Sequence, residues 1–196
     1  MDELREENFA GCCGLYCGLC PRFQSNSKSR CPGCKLLNQP KCFCPIFKCC
    51  VIKREKETCA KCGDYPCEKV KKALDIQPDG AQSDSFITHK PALPNLDRIR
   101  KTGLAVWLEE QKERRLLVEE LLKGYNEGRS MSFYCLACTL MPPKLIKKAA
   151  SEIKRRVDNL QIDARGIKIK AKILRSIIQD LALSSGIELK LRKKSK

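Results

Sequence analysis

Aromatic residues and histidine are scarce in this chain. Its 196 residues include one histidine and one tryptophan, and aromatic side chains make up 6% of the total. No uncharged run approaches the roughly 20 apolar residues that a membrane span requires. The N-terminal sequence MDELREENFAG also lacks the apolar core of a secretory signal. We therefore expect a cytoplasmic protein, in a reducing compartment where disulfides are rare and with no membrane as a partner.

Cysteine, by contrast, is abundant and concentrated. Of the 15 cysteines, 13 lie between Cys12 and Cys67, a density too high for inert thiols in a packed core. C-x-x-C pairs occur at Cys17/Cys20, Cys31/Cys34, Cys59/Cys62 and Cys135/Cys138. A two-residue gap in a tight turn lets both sulfurs point at one ion. The number and spacing of these cysteines therefore predict thiolate metal binding.

The identity of the metal stays open at this point. Two C-x-x-C pairs separated by ten residues, as in Cys17–Cys34, have the spacing of a four-thiolate Zn²⁺ site. Cys13, Cys17 and Cys20 also form C-x3-C-x2-C, which can hold three irons of a [4Fe–4S] cluster, and a proline follows Cys20 and Cys44 as it does beside many cluster ligands. The spacing slightly favours zinc over iron–sulfur.

Four cysteine motifs carry a family resemblance. CGLYCGLCP, CPGC, CPIFKC and CAKCGDYPCEKV resemble, in order and spacing, the cysteine-rich prokaryotic family catalogued as domain of unknown function 3795, up to about residue 72. The resemblance implies metal binding and no established activity. Its matching positions are Cys13, Cys17, Cys20, Cys31, Cys34, Cys44, Cys49, Cys59, Cys62 and Cys67. Cys12, Cys42 and Cys50 are additional thiols beside these motifs.

The composition divides the chain into a cysteine-rich metal-binding module (1–74), a linker (75–95) and a basic helical domain (96–196). Apolar residues at three- and four-residue intervals predict a helix from about Leu96, interrupted at Gly103 and with Trp107 in the core. The predicted fold is α-rich, with irregular metal-stabilised loops and at most a short strand at 187–194.

Two further helices are predicted near the C-terminus. One begins at Pro142–Pro143, and the other covers residues 167–184 with its buried face at Leu174, Ile177, Ile178 and Leu181. The apolar stripe of the first consists of Ile146, Ala149, Ala150, Ile153, Val157 and Leu160.

The C-terminal part is strongly basic. The formal net charge of the chain is +16, and residues 144–196 contain 16 Lys and Arg against 5 Asp and Glu. Lys147, Lys148, Lys154 and Arg155 lie off the apolar stripe and are candidates for binding phosphate groups of a nucleic acid. An acidic protein partner fits the same face, and so does the simpler interpretation that these residues only solvate the helix.

No catalytic constellation stands out, and His89 lies away from the cysteine clusters. Cys135 and Cys138 form either a redox-active pair, additional metal ligands or two buried small residues. The predicted function is thiolate metal binding by a binding or scaffold module. The alternative is an iron–sulfur redox or sulfur-transfer protein in which Cys135 and Cys138 are working thiols.

Overall fold

The fold is helical throughout the part of the chain that the structure describes. The computed structural model describes residues 6–37, 44–74, 88–161 and 166–191. Within these ranges the chain forms helices and turns but no β-strand, and one isolated antiparallel bridge joins Ala10 and Tyr16. The α-rich prediction is confirmed at this level. None of the helices in these ranges is long and apolar enough to cross a membrane.

The cysteine-rich first third consists of short helical segments joined by turns. Its α-helical segments are α1 (Glu6–Phe9), α2 (Pro21–Gln24), α3 (Pro45–Phe47) and α4 (Glu68–Leu74). Two 3₁₀ turns (Cys17–Leu19 and Cys59–Lys61) and a π-helical segment (Lys48–Lys53) lie between them. Helices this short are not stable alone, so tertiary contacts must hold them.

The rest of the chain forms longer helices, which are α5 (Ala92–Thr102), α6 (Leu104–Tyr125), α7 (Met131–Leu140), α8 (Pro143–Asn159) and α9 (Ile167–Ser184). Gly103 separates α5 from α6 with a φ of 89°, a value that glycine adopts readily. The predicted break at Gly103 and the predicted helix start at Pro142–Pro143 are both confirmed.

Two compact units make up the protein, Met1–Lys112 and Glu113–Lys196, and the division falls within α6. The sequence places residues 96–112 in the basic helical domain, whereas the structure groups them with the cysteine-rich segments. Aromatic packing is one reason, because the fully buried Trp107 meets the ring of Tyr16 edge-on with centroids 6.1 Å apart.

A close approach of the backbone at Gly14 is the other reason why residues 96–112 group with the cysteine-rich segments. Gly14 has a φ of 84°, and a Cβ there would stand 2.3 Å from the carbonyl oxygen of Ala92 and 2.9 Å from Cγ of Leu96. Asn95 Nδ2 donates a 2.8 Å hydrogen bond to the Gly14 carbonyl. The loop that carries the first cysteines is therefore seated on the start of α5 at a position that only glycine can fill.

The second unit contains α8 packed against α9. Its fully buried side chains include Ile146, Ile153, Leu174 and Ile178, all on the predicted apolar faces. In α7 the buried residues are Phe133, Tyr134, Cys135, Ala137 and Cys138. A helix so apolar on every side lacks amphipathic periodicity, which explains why α7 is not predicted from the sequence.

The structure differs from the sequence-based expectations near the C-terminus. Leu160 is 62% exposed because α8 ends at Asn159, so it does not extend the buried stripe. Residues 187–191 of the predicted strand have no regular secondary structure, and the remainder of that segment lies outside the described residues. Most of the predicted linker, residues 75–87, also lies outside them.

Candidate metal centre

Tight turns position the C-x-x-C pairs. Cys17 and Cys59 each begin a 3₁₀ turn, and Cys20 and Cys62 directly follow these turns. In each pair the backbone N–H of the second cysteine donates to the carbonyl of the first, at 2.9 Å and 3.0 Å respectively. None of the cysteines in the described ranges forms a disulfide. The two turns therefore have the local geometry that the spacing predicts.

Five cysteines from neighbouring segments line one cavity in the first unit. Cys49 and Cys50 come from the π-helical segment, Cys59 and Cys62 from the second 3₁₀ turn, and Cys67 from the residue before α4. The cavity has a volume of about 30 Å³, which is enough for about two water molecules. Its other walls are Ile46, Arg54, Lys56, Tyr65, Lys69 and Val70. Apart from Cys50, every cysteine in this cavity is a predicted ligand.

Arg54 contacts both a cysteine of the cavity and a carboxylate at the surface. Its Nη1 donates a 3.2 Å hydrogen bond to Sγ of Cys62, and its Nη2 lies 2.5 Å from Oδ2 of Asp64. The hydrogen bond with Asp64 raises the pKa of Arg54, so the guanidinium keeps its charge beside the sulfur. Sequence reasoning missed Arg54, because an arginine between two cysteine motifs has no distinguishing spacing.

Tyr65 fixes the loop between Cys62 and Cys67 on α5. Its hydroxyl donates a 2.7 Å hydrogen bond to Oδ1 of Asp97, and Arg100 Nη1 donates to the Tyr65 carbonyl at 3.1 Å. The Tyr65 side chain is 8% exposed, and its burial, followed by the bond with Asp97, raises the pKa of the hydroxyl. Side chains of α5 thus hold the backbone that carries two of the cavity cysteines.

The thiols of Cys12, Cys50 and Cys59 form a buried hydrogen-bonded group. The backbone N–H of Cys59 also donates to the Cys12 carbonyl at 2.9 Å. Hydrogen bonds from Cys12 and Cys59 lower the pKa of the Cys50 thiol. When Cys50 is protonated, its Sγ donates to the Lys56 carbonyl at 3.3 Å. Cys12 and Cys50, which the motifs leave as additional thiols, therefore belong to the immediate surroundings of the site.

A separate set of predicted ligands lies in the first 44 residues. Removal from water raises the pKa of the Cys13 thiol to about 12, and Cys44 and Cys34 are its electrostatic neighbours. Burial raises the pKa of Cys20, and Cys31 lies close enough to raise it further. Electrostatic interaction therefore links Cys13 with Cys34 and Cys44, and Cys20 with Cys31.

Cys17 is another predicted ligand in the first 44 residues. Its Sγ would lie 3.5 Å from a Cβ on Gly33, whose φ of 98° makes the turn before Cys34. Cys42 lies outside the described residues. Among the residues that are described, no three His, Cys, Asp or Glu side chains are placed to hold a metal ion. A rotamer change at a cysteine moves its Sγ by about 3 Å without moving the backbone.

Cys135 and Cys138 lie inside α7 and are both 1% exposed. Burial raises the pKa of Cys138 to about 12, which keeps that thiol neutral and weakly nucleophilic at neutral pH. Arg114 Nη1 donates to the carbonyls of Cys138 and Met141 at 2.7 Å and 2.6 Å. These features favour the interpretation of Cys135 and Cys138 as buried small residues over that of working thiols.

Ion pairs engage most of the predicted phosphate-binding face. The pairs are Lys147–Glu113 at 2.6 Å, Lys154–Glu120 at 2.9 Å and Arg155–Glu152 at 2.9 Å. Arg155 and Arg156 lower the pKa of Glu152 to about 2. Lys148 is exposed, and none of the ion pairs found in the described ranges involves it. Phosphate binding would therefore require displacement of carboxylates, which favours the solvated-face interpretation.

No protein-family model, curated protein or solved structure matches this chain. The resemblance to the cysteine-rich prokaryotic family therefore stays a prediction. In the first unit, four of the predicted ligands line one cavity, and Cys34 and Cys44 interact electrostatically with Cys13.

Proposed function

We propose that the first unit is a cysteine-thiolate metal-binding module. The observation that carries this proposal is the cavity shared by the predicted ligands Cys49, Cys59, Cys62 and Cys67. These four cysteines come from three different segments and reach one cavity, as the ligands of a shared metal centre must. As metal ligands, each of them has a use, and the Arg54 guanidinium is placed to stabilise a thiolate at Cys62.

A metal centre here would cross-link segments that are too short to be stable alone. This supports a structural or scaffold role, in which the module presents a surface and the basic second unit contacts an acidic protein or a nucleic acid. A reducing compartment such as the cytosol would keep the thiols available as ligands. The resemblance noted in the sequence leads to the same expectation of metal binding.

The metal content of the full chain tests the proposal. Protein purified anaerobically should contain at least two metal centres per chain, one for each cysteine set, as measured by elemental analysis. Serine in place of Cys13, which lies outside the cavity, should reduce the content while the cavity centre remains. A preparation with less than one metal centre per chain, obtained without oxidation, would contradict the proposed function.

A further inference from the structure

Three buried thiols of the first unit are close enough to react with one another. Hydrogen bonds join the Sγ atoms of Cys12, Cys50 and Cys59, residues that are between 3% and 6% exposed. We propose that Cys12 and Cys59 form a modification site, at which hydrogen peroxide oxidises the two thiols to a disulfide. In a reducing compartment, a disulfide that forms only on oxidation is typical of redox sensing.

The backbone brings Cys12 and Cys59 within reach of a disulfide. The N–H of Cys59 donates a 2.9 Å hydrogen bond to the Cys12 carbonyl. Adding the spans from that oxygen to Cα of Cys12 and from that nitrogen to Cα of Cys59 limits the Cα–Cα distance to about 6.8 Å. Disulfides join residues whose Cα atoms are about 4.4–6.8 Å apart. Since the two Sγ atoms are already hydrogen-bonded, rotation of the side chains is enough to close the bond.

Cys50 and Cys62 are the competing partners of Cys59, and the sulfur of each has a further contact. Sγ of Cys50 donates to a backbone carbonyl at 3.3 Å, and Sγ of Cys62 accepts a 3.2 Å hydrogen bond from Arg54. A disulfide to either of them would give up that bond. Pairing of Cys12 with Cys59 instead keeps the backbone hydrogen bond that holds the two residues together.

The cavity gives a small oxidant access to Cys59. Its walls include Cys59 and also the exposed residues Arg54, Lys56 and Lys69, so the cavity opens at the surface. Its volume of about 30 Å³ is enough for about two water molecules, and hydrogen peroxide, with two oxygen atoms, is of similar size. Peroxide can therefore reach the sulfur of a residue that is otherwise buried.

The reaction takes two steps. Sγ of Cys59 attacks one oxygen of the peroxide, the O–O bond breaks, and a sulfenic acid forms with release of one water. Sγ of Cys12 then displaces the hydroxyl group from the Cys59 sulfur, which forms the S–S bond and releases a second water. Two thiols lose two hydrogens and two electrons in total, and the peroxide that accepts them becomes two water molecules.

Oxidation at this site bears on the metal centre proposed above. Cys59 is one of its predicted ligands, and a sulfur in a disulfide no longer binds metal as a thiolate. The disulfide itself requires no metal, whereas the loss of a ligand from the cavity rests on the proposed function. We expect thiolate ligation by Cys59 and the Cys12–Cys59 disulfide to exclude each other.

Peptide mapping of the oxidised full chain is the test. The chain is purified anaerobically and treated with increasing amounts of hydrogen peroxide, and the free thiols are then blocked. Trypsin releases Cys59 as the single cysteine of residues 57–61, and Cys12 within residues 6–22. We expect these two peptides to be joined, with tandem mass spectrometry locating the bond at Cys12 rather than Cys13. Dithiothreitol should separate them.

Other products would overturn the inference. These are residues 57–61 joined to Cys50 or Cys62, or a Cys59 that is still reduced after the other thiols have reacted. The metal content of the same preparation separates the disulfide from the proposed function. A metal-free chain that forms the disulfide would keep this inference and end the proposed function, whereas a metal-loaded chain that does not form it would do the reverse.

Two variants test the choice of partner. Cys12→Ala should abolish the cross-linked peptide. Cys50→Ala removes the third thiol of the group, which is buried to the same extent, and should give the wild-type yield. Equal yields of cross-linked peptide in the two variants would overturn the assignment to Cys12. The map of the wild-type chain decides the matter if either variant fails to fold.

Discussion

Lys147 and Lys154 already form ion pairs with carboxylates, which limits their capacity to bind phosphate. Each pairs with a glutamate of α6, Glu113 and Glu120 respectively, at the surface of the second unit. A phosphate must compete with those carboxylates, so the double variant Glu113→Gln/Glu120→Gln should strengthen the binding of a labelled DNA duplex. The dependence of log affinity on log salt should become steeper by about 0.9 for each phosphate gained.

The control for this experiment is Glu119→Gln, which removes one negative charge from α6 at the partner of Arg115 and leaves the pairs of Lys147 and Lys154 intact. Similar duplex affinities in the wild type, the control and the double variant would assign the four basic residues to solvation of the helix. An acidic protein would then remain as the proposed partner of this face.

At the scale of single residues, the sequence predicts which residues are candidate ligands better than it predicts which of them contact one another. Thiol density identifies Cys49, Cys59, Cys62 and Cys67 as ligand candidates, because cysteine has few other reasons to cluster in a reducing environment. It does not show which of them share a cavity, since that depends on how the segments cross. Arg54 is missed for the same reason, because its hydrogen bond to Cys62 is a property of the tertiary structure.

At the scale of the element, the contact between the loop at Gly14 and α5 leads to a testable prediction. Gly14→Ala would impose a left-handed backbone on a residue with a Cβ, at a cost of about 1–2 kcal/mol. The new Cβ would also press on the Ala92 carbonyl, 2.3 Å away, which is backbone and has little freedom to move. We expect a loss of at least about 2 kcal/mol in the free energy of unfolding of the first unit.

Gly63→Ala is the matched control, because a Cβ there meets nothing within 4 Å. It should change the stability by less than about 1 kcal/mol. Denaturant unfolding followed by tryptophan fluorescence reports on the first unit, since the single tryptophan, Trp107, lies in its core. If both variants unfold at the same denaturant concentration, the close approach at Gly14 does not control the seating of the loop.

Elements with a regular pattern are predictable here and elements without one are not. The 3.6-residue periodicity and the proline signals place α8 and α9 close to their observed bounds. The helix α7 has no polar face and therefore no periodicity. The short segments that carry the cysteines have too few residues for any period, so turn contacts and neighbouring helices determine them.

Removal of metal from the whole molecule should affect its parts unequally. The first unit has an aromatic core that includes Phe9 and Phe23, whose ring centroids are 4.8 Å apart, and such packing contributes stability of its own. Chelation under reducing conditions should therefore lower hydrogen-exchange protection most in residues 44–74, which carry the cavity, and less around Phe9. The helices α8 and α9 should keep their protection. Unchanged exchange in residues 44–74 after complete metal removal would contradict a stabilising centre in the cavity.

The hydrogen bond from Asn95 to the Gly14 carbonyl joins residues 81 positions apart. Contacts at such long range form late in folding, because the entropy of closing the loop must be overcome before the contact contributes. During synthesis the cysteines from Cys17 to Cys67 are all made before α5. We therefore expect the nascent thiols to stay accessible to oxidants and to metal ions until their final arrangement forms. If the first unit binds metal as proposed, a reducing environment and a controlled metal supply are most important during the first half of translation.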